Sequence, residues 1–438
     1  MIRASKYTLL IALLALASLP ACSDSDDKPP LEGERLSVLE LQNSIEPDDA
    51  ALAAQGLVTP EPWRNEFWPQ AGGYPNHSMQ NLALNTGALK KAWSADTGAG
   101  STDQLPLTAQ PVVADGKVFT LDTESQLSAF DAQSGKNIWR VNIRKKKEKD
   151  DPVIGGGISF GGGVLYATNG YDEVLALKPD EGTVFWRKKI GSPSRSAPTV
   201  LDQRVFVTTL DNRLLALSAV NGEILWEYSG MSETAGLIGG ASPAASRDIV
   251  VPVFSSGEMT ALRVENGAVA WSDNLSSTRR LGNLDSISDI KAHPVIDKGL
   301  VIGISFSDRL VAIDERTGTR TWQREIGGSN MPWMAGNYLF VLTLNNELIA
   351  LGRETGSIIW VTKLPRFDGD TPIFFTGPVL AGGRLFVFGS EGRVIEAAPG
   401  TGKITSEWDA GDSILISPVI AGGIMYVLSE DGTLTAYR

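Results

Sequence analysis

Few side chains in this sequence are equipped for covalent or metal chemistry. Its 438 residues include one cysteine, Cys22, and two histidines, His77 and His293. A lone thiol can form no intrachain disulfide and no cysteine-rich zinc or iron–sulfur site. Two histidines far apart in the chain give no basis for a multi-histidine metal centre. The expectation is therefore a protein without metal, cofactor or catalytic residues. What a single thiol can still do is accept an acyl group, and the residues before Cys22 favour that chemistry. Arg3 and Lys6 form a positive start, Leu9 to Ala17 is an apolar run too short to span a bilayer comfortably, and Leu19-Pro20-Ala21 leads into the cysteine.

Leu19-Pro20-Ala21-Cys22 resembles the lipobox of bacterial lipoproteins, with Pro20 a less usual choice. The resemblance implies a signal peptide over residues 1–21 and a lipidated Cys22. Two or more acyl chains anchor stably where one does not, since each buried methylene contributes about 0.8 kcal/mol. Residues 22–35 read as a flexible tether, opened by the polar, charged stretch Ser23 to Pro30. Ser23 follows the cysteine. An Asp there resembles an inner-membrane retention signal in enteric bacteria, so its absence points to the outer membrane, at its periplasmic face, held by lipid alone.

A chemistry-poor chain must act through shape, and its shape is written in repeats. The net charge of −12 repels phosphate backbones and argues against nucleic acid. One pattern recurs: Pro-apolar, a Gly or Asp turn, a β-branched run, a second turn, Ala-Leu, then Gly and Trp. The stretch APTVLDQRVFVTTLDNRLLALSAVNGEILWEYS shows it well. Six copies place Trp four residues after Gly, at Trp139, Trp186, Trp226, Trp271, Trp322 and Trp360. A seventh copy carries two extra residues before Trp408. Self-similarity at this period, with four short strands per unit, predicts the blades of a β-propeller. Residues 417–438 supply three strands and stop before a Gly and Trp. The missing strand is available as Leu89-Lys90-Lys91-Ala92-Trp93. Closing the ring with it removes exposed edges and gives eight four-stranded antiparallel blades over residues 89–438, behind an extension over 36–88. The eight tryptophans, Trp93 included, are expected to pack between blades; Trp63, Trp68 and Trp333 lie outside the register.

The Ala-x-Asp-x-x-Ser/Thr-Gly-x-x-x-Trp form, kept in AFDAQSGKNIW and AIDERTGTRTW, resembles the repeat of the pyrroloquinoline-quinone dehydrogenases, which are eight-bladed propellers. Those enzymes typically carry two adjacent cysteines over the cofactor, and this chain has no such pair. The same repeat is found in the outer-membrane protein assembly factor family, BamB, whose lipobox, tether and N-terminally closed propeller this chain resembles from residue 22 to 438. WPQAGGYPNHSMQNLAL, Trp68 to Leu84, is similar to the pre-propeller segment of alphaproteobacterial members.

Two loops resemble the family's grip on BamA. Gly236-Leu237-Ile238-Gly239 stands where the family has Leu-x-Leu-Arg-Gly, and Ser288-Asp289-Ile290-Lys291 where it has Ser-Asp-Val-Asp. Ile238 and Lys291 depart from the family charges, while Asp289 keeps the first acid. Each of Ile238 and Asp289 lies five residues before a blade-opening proline, Pro243 or Pro294, so the loops should be neighbours on one face. The resemblance implies a non-catalytic scaffold of the β-barrel assembly complex. It would bind the POTRA domains of BamA through Leu237, Ile238, Asp289, Ile290 and Lys291, with unfolded outer-membrane proteins as further partners. The alternatives are a propeller adaptor of another envelope complex and, with less support, a quinone-dependent dehydrogenase. The run Arg144 to Asp151 reads as a solvated, partly self-neutralised loop.

Replacing Cys22 by Ser should abolish palmitate incorporation and release the protein from membranes. Labelling unchanged in that variant would remove the anchor.

Overall fold

The computed structural model describes residues 45–49, 56–144, 153–231, 240–276 and 290–438. Short apolar runs flanked by tight turns form strands here because both of their faces are covered by neighbouring sheets. In blade three the second strand, Arg204–Thr208, buries Val205, Phe206 and Val207 completely, and the third, Arg213–Ser218, buries Leu214 to Leu217. The fourth, Ile224–Ser229, alternates exposed and half-buried residues because its outer side meets water. Eight such sheets, each of four antiparallel strands, make an all-β eight-bladed propeller. The innermost strands, from blade one to blade eight, are Val112–Ala114, Ile158–Gly161, Thr199–Leu201, Ala244–Ala245, Val295–Asp297, Trp333–Ala335, Phe375–Ala381 and Val419–Ala421.

The ring closes as the sequence predicts. Lys91–Asp96 pairs antiparallel with Thr433–Tyr437, from Lys91 opposite Tyr437 to Asp96 opposite Thr433. Lys90 and Arg438 extend the ladder by exchanging both backbone hydrogen bonds, at 2.8 and 2.9 Å. Blade eight is thus built from both ends of the propeller segment, and the closing strand covers Thr433–Tyr437, which would otherwise be the sheet's edge.

The Gly–Trp spacing joins one blade to the next. Each Trp donates its indole N–H to a backbone carbonyl in the following blade: Trp139 to Pro179 at 2.9 Å, Trp226 to Val264 at 3.1 Å, Trp322 to Arg353 at 2.8 Å. The ring lies on the glycine of that blade's outer hairpin. At Gly267 φ is +73°, and a Cβ would fall 2.5 Å from the Trp226 ring. That position therefore needs glycine twice over, for its left-handed backbone and for the indole face. A one-residue bulge keeps Trp226 opposite Ala216 while Ile224 faces Leu217, which aims the indole sideways.

Trp408 packs against the next blade, as expected of the blade tryptophans, but through different contacts. The bulge of blade seven falls between Glu396 and Ala397, so Ser406 faces Glu396 where the other blades have Trp facing Ala, and Trp408 faces Val394. The reason is topological. In blade eight the two outer strands, Thr433–Tyr437 and Lys91–Asp96, are distant in sequence and no hairpin joins them, so no hairpin glycine or turn carbonyl is there to receive an indole. Trp408 instead donates to Glu396 Oε1 at 2.9 Å and packs on Tyr437, ring centres 5.1 Å apart.

Two glycine substitutions separate backbone strain from the indole contact. At Gly116 φ is +71° and a Cβ would meet nothing within 4 Å. Gly116→Ala should cost about 1–2 kcal/mol from the left-handed backbone alone. Gly267→Ala should cost about 1–3 kcal/mol more, because the Trp226 ring must also move. Equal melting temperatures for the two variants would show that the Trp–Gly contact contributes nothing.

Candidate functional site

The innermost strands are short, and their inner edges carry backbone N–H and C=O groups with no further strand to pair with. Buried groups of this kind must find partners. The segment Asn65 to Leu82 supplies them, running once around the axis and touching the blades in order. Asn65 accepts from Gly422 N–H at 2.7 Å in blade eight. Trp68 exchanges both backbone bonds with Val113 in blade one, and Pro69 accepts from Phe160 in blade two. The Gln70 side-chain amide imitates a strand in blade three, donating to Val200 O and accepting from Val200 N, both at 2.8 Å. Pro75 accepts from Ala245 in blade four and Asn76 from Ile296 in blade five. Gln80 Oε1 accepts from Gly336 N at 2.8 Å in blade six, and Leu82 donates to Leu380 in blade seven.

This collar is why the stretch is rich in Asn, Gln, Pro and Gly: it must curve tightly while offering polar groups outward. His77 and Gln80 adopt φ of 60° and 57° to make the bend, a left-handed conformation that costs each about 1–2 kcal/mol. The three tryptophans outside the repeat belong to it. Trp68 and Trp333 are buried with ring centres 6.4 Å apart, Trp333 donates to Gln80 O, and Trp63 donates to Met79 O and packs on Tyr74. Their lack of register was the signal in the sequence that a second structure threads the ring. The segment belongs to the same compact unit as the blades, Glu46–Arg438.

With the collar across it, the channel becomes a cup of about 390 Å³. Trp68 and Gly72 of the collar line it, together with Arg195, Lys291, His293, Met331, Phe374 and Leu415 from the loops that lead into the inner strands. The described ends of the two loops expected to bind a partner, at Gly240 and Lys291, line this cup. Leu237, Ile238 and Asp289 lie outside the described residues, as do Cys22 and most of the basic run. The described ends of the two loops are joined: Ser242 N–H donates to His293 Nδ1 at 2.9 Å, tying the approach to blade four to that of blade five. Lys291 is exposed at the cup. Ile290 is not part of an exposed patch. It is 2% exposed and packs in the core between blades four and five with Ile249, Val251 and Val301, because the chain already turns inward one residue before Lys291. Met231, which the sequence did not single out, is 55% exposed just ahead of the first loop.

The two histidines, distant in sequence, meet with ring centres 5.3 Å apart. His77 Nδ1 donates to Pro294 O at 2.7 Å and His293 Nδ1 accepts from Ser242, so the partner atoms fix both tautomers. Burial pushes His77 down to about 4, opposed by the Pro294 bond, and burial and the neighbouring ring push His293 down to about 3. Among the described residues no group of three or more potential metal ligands exists. The residues present do not fit the quinone and metal of the dehydrogenases: the adjacent cysteines are missing, and Trp68 and Trp333 pack on each other under the cup.

Because both folded values lie below the ordinary 6.5, the unfolded chain takes up protons first as pH falls. The stability that the neutral pair contributes is complete above about pH 6.5 and is lost on descending towards pH 4 and 3. The doubly substituted His77→Gln, His293→Gln protein should lose less stability between pH 6.5 and 4, its slope smaller by up to about two proton equivalents. An unchanged slope in that window would show that the pair titrates normally.

The chain was compared with known proteins at the level of families, sequences and folds. The family model described as outer membrane protein assembly factor BamB matches residues 123–362 and 366–438. A second, the β-propeller domain of glucose/ethanol/alcohol dehydrogenases, matches residues 78–161. Outer membrane protein assembly factor BamB of Escherichia coli is 28% identical over 349 residues, covering 78% of this chain and 87% of that protein. That of Yersinia pestis is 26% identical over 352 residues, 79% and 88%. The crystal structure of BamB from Moraxella catarrhalis shares the fold, with a TM-score of 0.66 at 19% identity over 80% of this chain and all of the other. A quinohemoprotein alcohol dehydrogenase from Pseudomonas putida has the same TM-score at 13% identity, covering 86% of this chain and 80% of its own, which shows the shared propeller and no more. Since the assembly-factor model spans well over half of the sequence, this chain belongs to the outer membrane protein assembly factor BamB family.

Proposed function

We propose that this protein is a non-catalytic scaffold of the outer-membrane β-barrel assembly machinery. It is anchored through Cys22 at the periplasmic face of the outer membrane and binds the POTRA domains of BamA. The carrying observation is the pairing of the two family-like loops, whose described ends are held together by the Ser242–His293 hydrogen bond. A rigid ring in which the bases of two loops are tied together suits binding by a preorganised surface. Leu237 and Ile238 would supply the desolvated centre of the interface, and Met231, exposed ahead of that loop in the chain, offers further apolar surface. Asp289 and Lys291 would set its orientation by charge. Ile290, buried in the core between blades four and five, is left out of that proposed surface.

The absence of the quinone enzymes' paired cysteines supports a role without turnover. A second role, aligning unfolded outer-membrane proteins, accords with a scaffold beside the barrel-forming partner.

Binding of purified BamA POTRA domains is the test. Leu237→Asp should weaken it by about 2 kcal/mol or more, since a carboxylate would be buried without a partner. Asp289→Ala should cost about 1 kcal/mol, and Lys146→Ala in the distant basic run should change little. Wild-type affinity in folded Leu237→Asp and Asp289→Ala proteins would place the contact elsewhere or remove BamA as the partner.

A further inference from the structure

The cup has two unlike sides. Arg195 precedes the inner strand of blade three and Lys291 that of blade five, which puts both cations on one sector of the ring. Met331, Phe374 and Leu415 precede the inner strands of blades six, seven and eight, on the other sector. Glu430, the one acid among the cup-lining residues, also belongs to blade eight.

Both sectors are unusual for a surface that only faces water. Arg195 makes no ion pair among the described residues, although the chain carries twelve more acids than bases. Phe374 is 63% exposed and Leu415 45% exposed. A cation at one wall and bare apolar side chains at the other can hold an anionic group and an apolar body together, and the volume falls within the range of small-molecule sites. Low-dielectric walls focus the field of Arg195 into the cup, so an anion is attracted locally despite the acidic exterior. The collar blocks passage through the ring, so the occupant is a small molecule or a chain end, and not a strand that threads it.

We propose that the cup binds a carboxylate joined to an apolar or aromatic body, with the carboxylate at Arg195 and the body against Phe374 and Leu415. The guanidinium matches a carboxylate in a planar, two-pronged fashion that an ammonium cannot. The site stands whether or not the loop face around it binds BamA. Two sources share this chemistry: a free small acid, and the last residue of a peptide.

Calorimetric titration of the purified protein distinguishes them with N-acetyl-phenylalanine, its amide, and a short peptide ending in phenylalanine with a free or an amidated carboxyl group. The acid form should bind about tenfold tighter than the amide, equivalent to about 1.4 kcal/mol. Preference for the free acid identifies a small-molecule site, and preference for the peptide a chain-end site. Arg195→Gln should abolish the acid-over-amide preference and leave amide binding unchanged, with Arg195→Lys restoring part of it. Phe374→Ser should weaken acid and amide alike, and gives a second variant if Arg195→Gln fails to fold. Equal binding of acid and amide, no binding at millimolar concentration, or an unaltered preference in folded Arg195→Gln would overturn the proposal.

Discussion

A β-sheet ends in two edges, and the inner edges of a propeller all face the axis. In this protein the blades begin with strands as short as the two residues Ala244–Ala245, so their inner backbone groups face a narrow channel with no further strand to pair with. Leaving such groups dry and unpaired costs about 1–3 kcal/mol each. The collar from Asn65 to Leu82 resolves this by visiting every blade in turn. Much of the remaining architecture depends on that circuit: Trp333 is held by Gln80, His77 is pressed onto His293, and the channel becomes a cup open on the loop side.

Between blades a different device operates, and it is directional. Each indole reaches forward to the next blade's outer hairpin, where a left-handed glycine gives it a flat seat. The chain of contacts starts with Trp93, which reaches Ala132 in blade one, and runs to Trp360, which reaches Pro399 in blade seven. It stops at blade eight, where the hairpin is replaced by the two ends of the propeller segment. There Glu396 takes the place of the small Ala and ties Trp408 and Arg384 together within blade seven. Across the junction to blade eight, Tyr437 packs on Trp408 and donates its hydroxyl to Ala410 O at 3.3 Å.

These devices explain how an exterior poor in reactive groups can carry specific contacts. Blades locked by indoles and a filled axis leave the loops before each inner strand as the variable part of a rigid frame. The loops before blades four and five are tied at their bases by the buried histidine pair. The likeness of this propeller to that of a quinohemoprotein dehydrogenase is one of fold, and a shared fold does not by itself bring the chemistry with it.

What the sequence determined by itself is the local and repetitive part. Strand runs, hairpin turns and the Gly–Trp spacing recur within about forty residues, so the fold, the number of blades and the closing strand at Leu89 to Trp93 could all be read from pattern. The tertiary structure alone decided everything that joins distant positions. Collar bonds pair residues 65–82 with strands as far away as Ile420, and no local spacing encodes a partner 355 residues off. Two histidines separated by most of the propeller touch because the ring brings blade five against the collar. The family resemblance groups Ile290 with the partner-binding residues, yet it packs inward, because burial depends on where the loop meets the core and not on the residue's neighbours in sequence. Trp408 carried the expected residue type two positions late, and only the absence of an outer hairpin between Thr433–Tyr437 and Lys91–Asp96 in the adjoining blade gives that shift its physical reason.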